Sequence, residues 1–291
     1  MNRHIVIKGF VAALLFAAVV QLAGACSSRA ASAAGTRAGV QTTDAGAQAA
    51  GAPQNDFRWR GRLAAGRVVE IKGVNGGIEA APSSSGEVEV VAEKSARRSD
   101  PAAVRVEVVE HAEGVTICAV YPSRKSSQPN ICAPGGQGRM NVQDNDTQVS
   151  FKVRVPAGVR FTGRTVNGDV EAEGLGADVE ATTVNGSVKV STTRLARART
   201  VNGSINAAMG SADWSDELEF QTVNGGIELS FPASLSAELD VETVNGDIES
   251  DFPMTVTGRF SKRHVTGTIG GGGRELSLKT VNGSVQIRRA S

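Results

Sequence analysis

Five carboxylates, Asp169, Glu171, Glu173, Asp178 and Glu180, crowd one short stretch of the chain. Carboxylate pairs are what lyases and hydrolases use on polysaccharides. One group acts as acid and the other as base or nucleophile, across a cleft that raises a pKa. Metal chemistry has thinner material. The histidines are His4, His111 within Glu-His-Ala-Glu, and His264; none has a ligand partner at usual spacing, and no Cys-x-x-Cys occurs. Gly270 to Gly273 lacks the Lys-Ser/Thr and the helix opening of a phosphate loop. Asp144-Asn145-Asp146 lacks the remaining ligands of a calcium loop. No catalytic or metal residue and no cofactor is expected.

The cysteines carry a different chemistry. Arg3 and Lys8 open the chain, Phe10 to Val20 is an apolar run too short to span a bilayer comfortably, and Leu22-Ala23-Gly24-Ala25 leads into Cys26. This pattern predicts a signal peptide over residues 1–25. Ala-Gly-Ala-Cys resembles a bacterial lipobox, although Ala23 stands where Leu is preferred and Ala23-x-Ala25 also suits an ordinary signal peptidase. Three cysteines leave an odd one in an exported protein. Lipidation of Cys26 resolves the count, leaving Cys118 and Cys132 as a disulfide pair for an oxidising compartment.

The chain has 31 basic and 30 acidic residues; export removes Arg3 and Lys8, leaving 29 against 30 and a net charge near −1. That balance gives no electrostatic case for nucleic acid as a partner. The clusters Arg58, Arg60, Arg62, Arg67 and Arg194, Arg197, Arg199 alternate with apolar or small residues and read as solvent faces of strands. Residues 26–55 are rich in Ala, Gly, Ser, Thr and Gln, a composition that cannot bury enough surface to order. They are expected to be a flexible tether with a mean reach of roughly 30 Å.

From residue 56 onward the chain alternates with period two. Val68-Val69-Glu70-Ile71, Val104 to Val109, Val115 to Tyr121 and Val149 to Val155 read as strands broken by Gly, Pro and Ser. Residues between Tyr121 and Gln148 form an irregular excursion. Thr-Val-Asn-Gly then recurs from Thr165, Thr183, Thr200, Thr222, Thr243 and Thr280, always followed one residue later by Val or Ile. A damaged copy runs His264-Val265-Thr266-Gly267, and an early outlier reads Gly73-Val74-Asn75-Gly76. The turn asparagines are Asn75, Asn167, Asn185, Asn202, Asn224, Asn245 and Asn282. Self-similarity near a period of 20 residues means one supersecondary unit used repeatedly.

Asn-Gly between apolar alternations is a hairpin signal, since a type I′ turn needs positive φ at both central residues. An antiparallel β-meander or sandwich is therefore one reading. The other is a β-solenoid, each unit a coil stacked on the last. The held Thr and Val before the turn, and the Val or Ile after it, favour the solenoid, where equivalent residues sit one strand spacing apart. Stacking in chain order would make ladders of Val166, Val184, Val201, Val223, Val244, Val265 and Val281, and of Val170, Val188, Ile205, Ile227, Ile248, Ile269 and Val285, with the asparagines as a third at the corners. Outward residues Glu171 and Lys189 would then be neighbours. Glu228 and Glu249 would be too, with a weak divalent-ion site as one way to relieve their repulsion.

These repeats, the Val153-Arg154-Val155-Pro156-Ala157-Gly158-Val159 step before them and the closing Gly267 to Gly273 stretch carry a resemblance. The chain resembles the bacterial putative-adhesin family of envelope proteins, a β-strand-repeat domain of unknown function, over roughly residues 65 to 289. The resemblance implies an all-β, right-handed β-solenoid or solenoid-like sheet, often behind a signal peptide or lipid anchor, and brings no catalytic residues. The expected organisation is a signal peptide at 1–25, a tether at 26–55, an N-terminal region of irregular antiparallel β strands at 56–155 and solenoid repeats at 156–291. The expected role is a non-enzymatic, adhesin-like or scaffold module, held on the membrane by lipid at Cys26 on the periplasmic or cell-surface side. Its partner would be an envelope protein or surface polysaccharide. A polysaccharide-acting β-helix enzyme is the alternative, and an accessory part in an envelope-stress system rests on the family association alone.

Overall fold

A computed structural model describes residues 56–123, 127–256 and 263–290. The expected signal peptide, the whole of the tether and Cys26 lie outside the described residues. The first half supplies β1 (Asp56–Gly61), β2 (Val68–Lys72), β3 (Ile78–Pro82), β4 (Val88–Ser95), β5 (Arg105–His111), β6 (Gly114–Val120) and β7 (Gln148–Val155). The repeats supply β8 (Arg160–Arg164), β9 (Val170–Leu175), β10 (Val179–Thr182), β11 (Val188–Thr192), β12 (Ala196–Arg199), β13 (Ile205–Met209), β14 (Leu218–Gln221) and β15 (Ile227–Phe231). The chain then continues through β16 (Ala237–Glu242), β17 (Ile248–Ser250), β18 (Met254–Val256), β19 (His264–Ile269), β20 (Glu275–Lys279) and β21 (Val285–Arg289).

Two long mixed sheets result. One runs β1-β4-β7-β3-β9-β11-β13-β15-β21-β17 and the other β18-β19-β16-β20-β14-β12-β10-β8-β2-β6-β5. Each repeat sends one strand to each sheet with Thr-Val-Asn-Gly as the corner between them, so the solenoid reading holds. Rows of like residues face inward. Ile78, Val170, Val188, Ile205, Ile227 and Val285 line up rung by rung, as do Val69, Phe161, Val179 and Ala196 on the facing sheet. All are buried in one continuous core. Polar residues between them point outward, the alternation expected of a half-buried strand.

The order of coils departs from chain order at both ends. The asparagines bridge as Asn75-Asn167-Asn185-Asn202-Asn224-Asn282-Asn245. The last coil, β20–β21, is therefore inserted between β14–β15 and β16–β17. At the other end, β6 and β7 stack outside β2 and β3. The early outlier Asn75 is thus a regular corner, and β2 and β3 are parallel members of the stack. Only β1–β4, β4–β7 and β5–β6 in that region are antiparallel. The expected chain-order ladders therefore break at this end. Gln286 lies between Glu228 and Glu249, which removes the basis for an ion site there. Val265 and Ile269 belong to β19, an antiparallel strand paired with β16, so neither joins the corner or core ladders.

The corner itself explains why four residue types are held. Asn is not there for its backbone: among the described residues Asp144 is the non-glycine with positive φ. Its side chain is what matters, each Nδ2 donating to the next Oδ1 at 2.7–2.8 Å. Thr is buried, and its hydroxyl donates to a glycine carbonyl of the adjoining coil, as Thr222 Oγ1 does to Gly203 O at 2.8 Å. Gly is needed for close approach, since a Cβ on Gly203 would sit 2.0 Å from Gly186 O. The Val of the phrase is half-buried at the corner and lies outside the core rows.

Thr222→Val keeps the shape and removes the donor. It should lower stability by about 1–3 kcal/mol, the cost of leaving a buried carbonyl short of a partner, while Thr222→Ser should restore most of the loss. Paired urea titrations of the three proteins measure the difference.

Candidate functional site

β6 and β7 are joined by residues 121–147 where the other coils have a five-residue corner, so the excursion is an enlarged corner on the outermost coil. Cys118 and Cys132 are joined as a disulfide with Cα atoms 5.7 Å apart. Closing that loop stabilises by about 3 kcal/mol in the chain-entropy model. Tyr121 opens the excursion and is buried, its hydroxyl donating to Thr147 O at 2.8 Å. Burial pushes this phenol up to about 12 against hydrogen bonding with Asn75, which acts the other way. Asn130 then ties the loop to itself, its side chain bonding Tyr121 O, Asn141 O and Asn141 N at 2.7–2.9 Å.

Folded back in this way, the excursion covers a charge cluster. Glu70 is 4% exposed. Its carboxylate accepts from Thr116 Oγ1 at 2.8 Å and from Gly135 N at 3.0 Å, and Arg164 and Lys72 lie 3.3 and 3.7 Å from it. Because the Thr116 hydroxyl is spent on Glu70, His111 Nε2, 3.1 Å away, must be the donor to Thr116 Oγ1. Lys72 donates to Ala133 O and Gly135 O. Burial lowers its pKa, partly offset by Glu70. Removing one member of such a buried set costs far more than replacing the whole by apolar residues would. The cluster pins the excursion in place.

Between excursion and stack lies a groove of about 440 Å³. Val74 and Val166 form its floor with Asn75 and Asn167, while Ile131 and Met140 form the excursion wall and Arg139 and Arg164 add positive charge. Ile131 is 47% exposed, an unusual position for isoleucine. Sequence reading missed both groove and cluster. Glu70 sits in an alternating strand at an outward position, and nothing in the Ser-, Pro- and Gly-rich excursion shows that it folds back over that face.

The expected chemistry residues are scattered. Asp169 stands at a corner and accepts from Ser187 N at 2.7 Å. Glu171 and Glu173 are on the outer face of one sheet, where Glu173 pairs with Lys189 and Glu171 faces that lysine in register. Asp178 and Glu180 belong to the other sheet, paired with Arg194 and Arg164. The five are therefore spread over a corner and two faces of the stack. Arg197 and Arg199 alternate with buried Ala196 and Ala198, as a solvent face should. His264 bonds Asp240 at 2.8 Å. The Gly270 to Gly273 loop folds on Ser236, whose hydroxyl accepts from Gly271 N and donates to Gly272 O. Among the described residues no group of His, Cys, Asp and Glu is placed to hold a metal ion. No helix among them is long and apolar enough to cross a membrane.

Asp146 anchors the far side of the excursion, accepting from Ser99 N at 2.8 Å and Arg98 N at 3.1 Å. Hydrogen bonding with Ser99 holds its carboxyl at about 2, below its ordinary 3.8. A depressed folded pKa gives stability that is complete above the unfolded value and lost as pH falls through the folded one. The melting-temperature gap between wild type and Asp146→Asn should therefore narrow from about pH 4 to about pH 2.

Two flat faces, a laddered corner and a groove beneath an enlarged corner define an open β-solenoid-like stack. The chain belongs to the family described as Toastrack DUF4097, which matches residues 121–288. No curated protein matches the chain. Among solved structures, the chain is similar to a putative cell adhesion protein from Clostridium sporogenes, at 10% identity and a TM-score of 0.41, over 81% of this chain and 100% of that one. It is also similar to a putative adhesin from Bacteroides fragilis, at 14% identity and a TM-score of 0.34, over 80% and 96% of the two chains.

Proposed function

We propose that this protein is an exported, non-enzymatic interaction module of the bacterial cell envelope. In this reading residues 1–25 are removed, lipid on Cys26 anchors the chain, and residues 26–55 hold the stack off the membrane surface. The observation that carries the role is the groove at the outermost coil. It sets the exposed Ile131 and the half-buried Val74, Val166 and Met140 beside the guanidinium groups of Arg139 and Arg164.

That lining favours a protein partner over a polysaccharide. Sugar binding relies on exposed aromatic platforms, and Tyr121 and Trp214 are both buried, with Trp59 half-buried on β1. An apolar anchor beside arginine is the composition of a protein-binding centre. The enzyme alternative needs two carboxylates facing each other across a cleft, whereas the acids in question spread over a corner and two faces and mostly pair with bases.

Two experiments test the reading. Mass spectrometry of the mature N-terminus should find diacylglycerol on Cys26, and a free, unmodified cysteine would sink the anchor. Pull-down from envelope fractions should recover one protein with wild type and lose it with Ile131→Asp/Arg139→Glu. Equal recovery by both would remove the groove from the account. Turnover of an acidic polysaccharide that disappears in Glu171→Gln/Glu173→Gln would replace the reading with the enzyme.

A further inference from the structure

Every corner of the ladder contains Asn-Gly, the dipeptide most open to spontaneous deamidation, because glycine leaves its own nitrogen sterically unshielded. In that reaction the glycine backbone nitrogen gives up its proton and attacks the asparagine Cγ. A Cγ–N bond forms, the Cγ–Nδ2 bond breaks, ammonia leaves with the proton, and a succinimide remains. Water then opens one imide carbonyl or the other, giving aspartate or isoaspartate. A hydrogen bond from the attacking nitrogen opposes the first step, since it holds the proton and fixes the backbone.

Six of the seven sites are closed in this way. The N–H groups of Gly76, Gly168, Gly186, Gly203, Gly225 and Gly283 each donate to an Asn carbonyl of the adjoining rung at 2.8–3.0 Å. In each of those rungs the Asn Oδ1 also accepts from the next side-chain amide. Asn245 ends the ladder and differs on both counts. Its Nδ2 donates to Asn282 Oδ1 at 2.8 Å. Among the described residues, however, nothing donates to its own Oδ1, and the Gly246 N–H has no acceptor. β17 follows directly, three residues long and paired with β21 alone.

We propose that Asn245 is a self-modification site, the Asn-Gly of the seven that converts to aspartate or isoaspartate in the folded protein. Conversion replaces the Nδ2 donor by a carboxylate oxygen facing Asn282 Oδ1, an acceptor against an acceptor. It also adds negative charge beside Asp247 and Glu249. Isoaspartate lengthens the main chain just before β17, which shifts that strand out of register with β21. β1 and β17 are the opposite edges of one sheet, so the mark falls on the end of the stack remote from the N-terminal entry.

The test uses the full wild-type chain held in mildly alkaline buffer made with ¹⁸O-water, followed by peptide mapping. The peptide containing Asn245 should acquire labelled aspartate and isoaspartate at least about tenfold faster than any peptide containing another corner, as expected when protected sites react only through local opening. In urea all seven should convert at similar rates. Conversion at Asn202 or Asn224 as fast as at Asn245 would overturn the proposal. So would a preference for Asn245 that survives in urea, since it would then come from flanking sequence and not from the fold.

Discussion

Gly203→Ala is expected to lower stability by roughly 4 kcal/mol or more, an effect reserved for substitutions that break a structural element. The added Cβ would lie 2.0 Å from Gly186 O and 2.4 Å from its carbonyl carbon. Both are backbone atoms, so no side chain can swing aside. Relief requires the two coils to part, which also stretches the Asn202 to Asn185 amide bond and the Thr200 hydroxyl bond to Gly186 O. Gly86→Ala is the control, because a Cβ there meets nothing within 4 Å; it should be nearly silent. Urea titration of the two variants against wild type gives the comparison. A mild Gly203→Ala would mean that the corner is looser than a shared ladder allows.

The second large effect concerns the inserted coil. Deleting residues 275–291 should prevent the protein from folding stably. In an ordinary stack, losing the last repeat removes one interface and leaves the rest standing. Here β20 and β21 have partners on both sides: β14 and β16 in one sheet, β15 and β17 in the other. The deletion strips Leu276, Leu278, Val285 and Ile287 from the core, all at most 1% exposed. At 1.5–3 kcal/mol for each buried side chain this is about 6–12 kcal/mol, comparable to the whole stability of a typical domain, about 5–15 kcal/mol. It also leaves two edges facing a gap. Loss of the cooperative circular-dichroism melt is the expected result, whereas a native-like melt only slightly lowered would argue for a conventional terminal repeat.

Much of this architecture is legible in the residues. Alternation marked the inward rows, and the held positions around Asn-Gly separated stacked coils from hairpins. The positive φ that a hairpin requires is absent from every repeat Asn, and the asparagines instead form the corner ladder a solenoid implies. The Asn side-chain amide is both donor and acceptor, which lets identical residues bond to one another along a row. That property equally hides the stacking order. Asn224 can accept from Asn245 or Asn282 with the same geometry, so the phrase cannot say which coil comes next. The connections decide: the run after Ser250 leads through β18 into the antiparallel β19, which covers β16 and leaves the side facing β14 open for β20.

The candidate site was less legible than the frame. Its pieces come from the part of the chain without a repeat, where local composition indicates only turns. Lys72 and Arg164 look like solvent-facing strand residues, and so they would be if the excursion did not fold over them. What the sequence did supply was the Cys118–Cys132 pairing that holds the loop there.

Stacking order is the central structural claim, and a cysteine pair tests it directly. Registered neighbours in adjacent strands lie ~4.8 Å apart, and strands once removed lie twice that. A disulfide needs Cα atoms within about 7 Å. Glu228→Cys/Gln286→Cys should therefore cross-link under mild oxidation, and Glu228→Cys/Glu249→Cys should remain reduced, as read by peptide mapping. Cross-linking of residues 228 and 249 with none between 228 and 286 would mean coils stacked in chain order, and would contradict the inserted last coil.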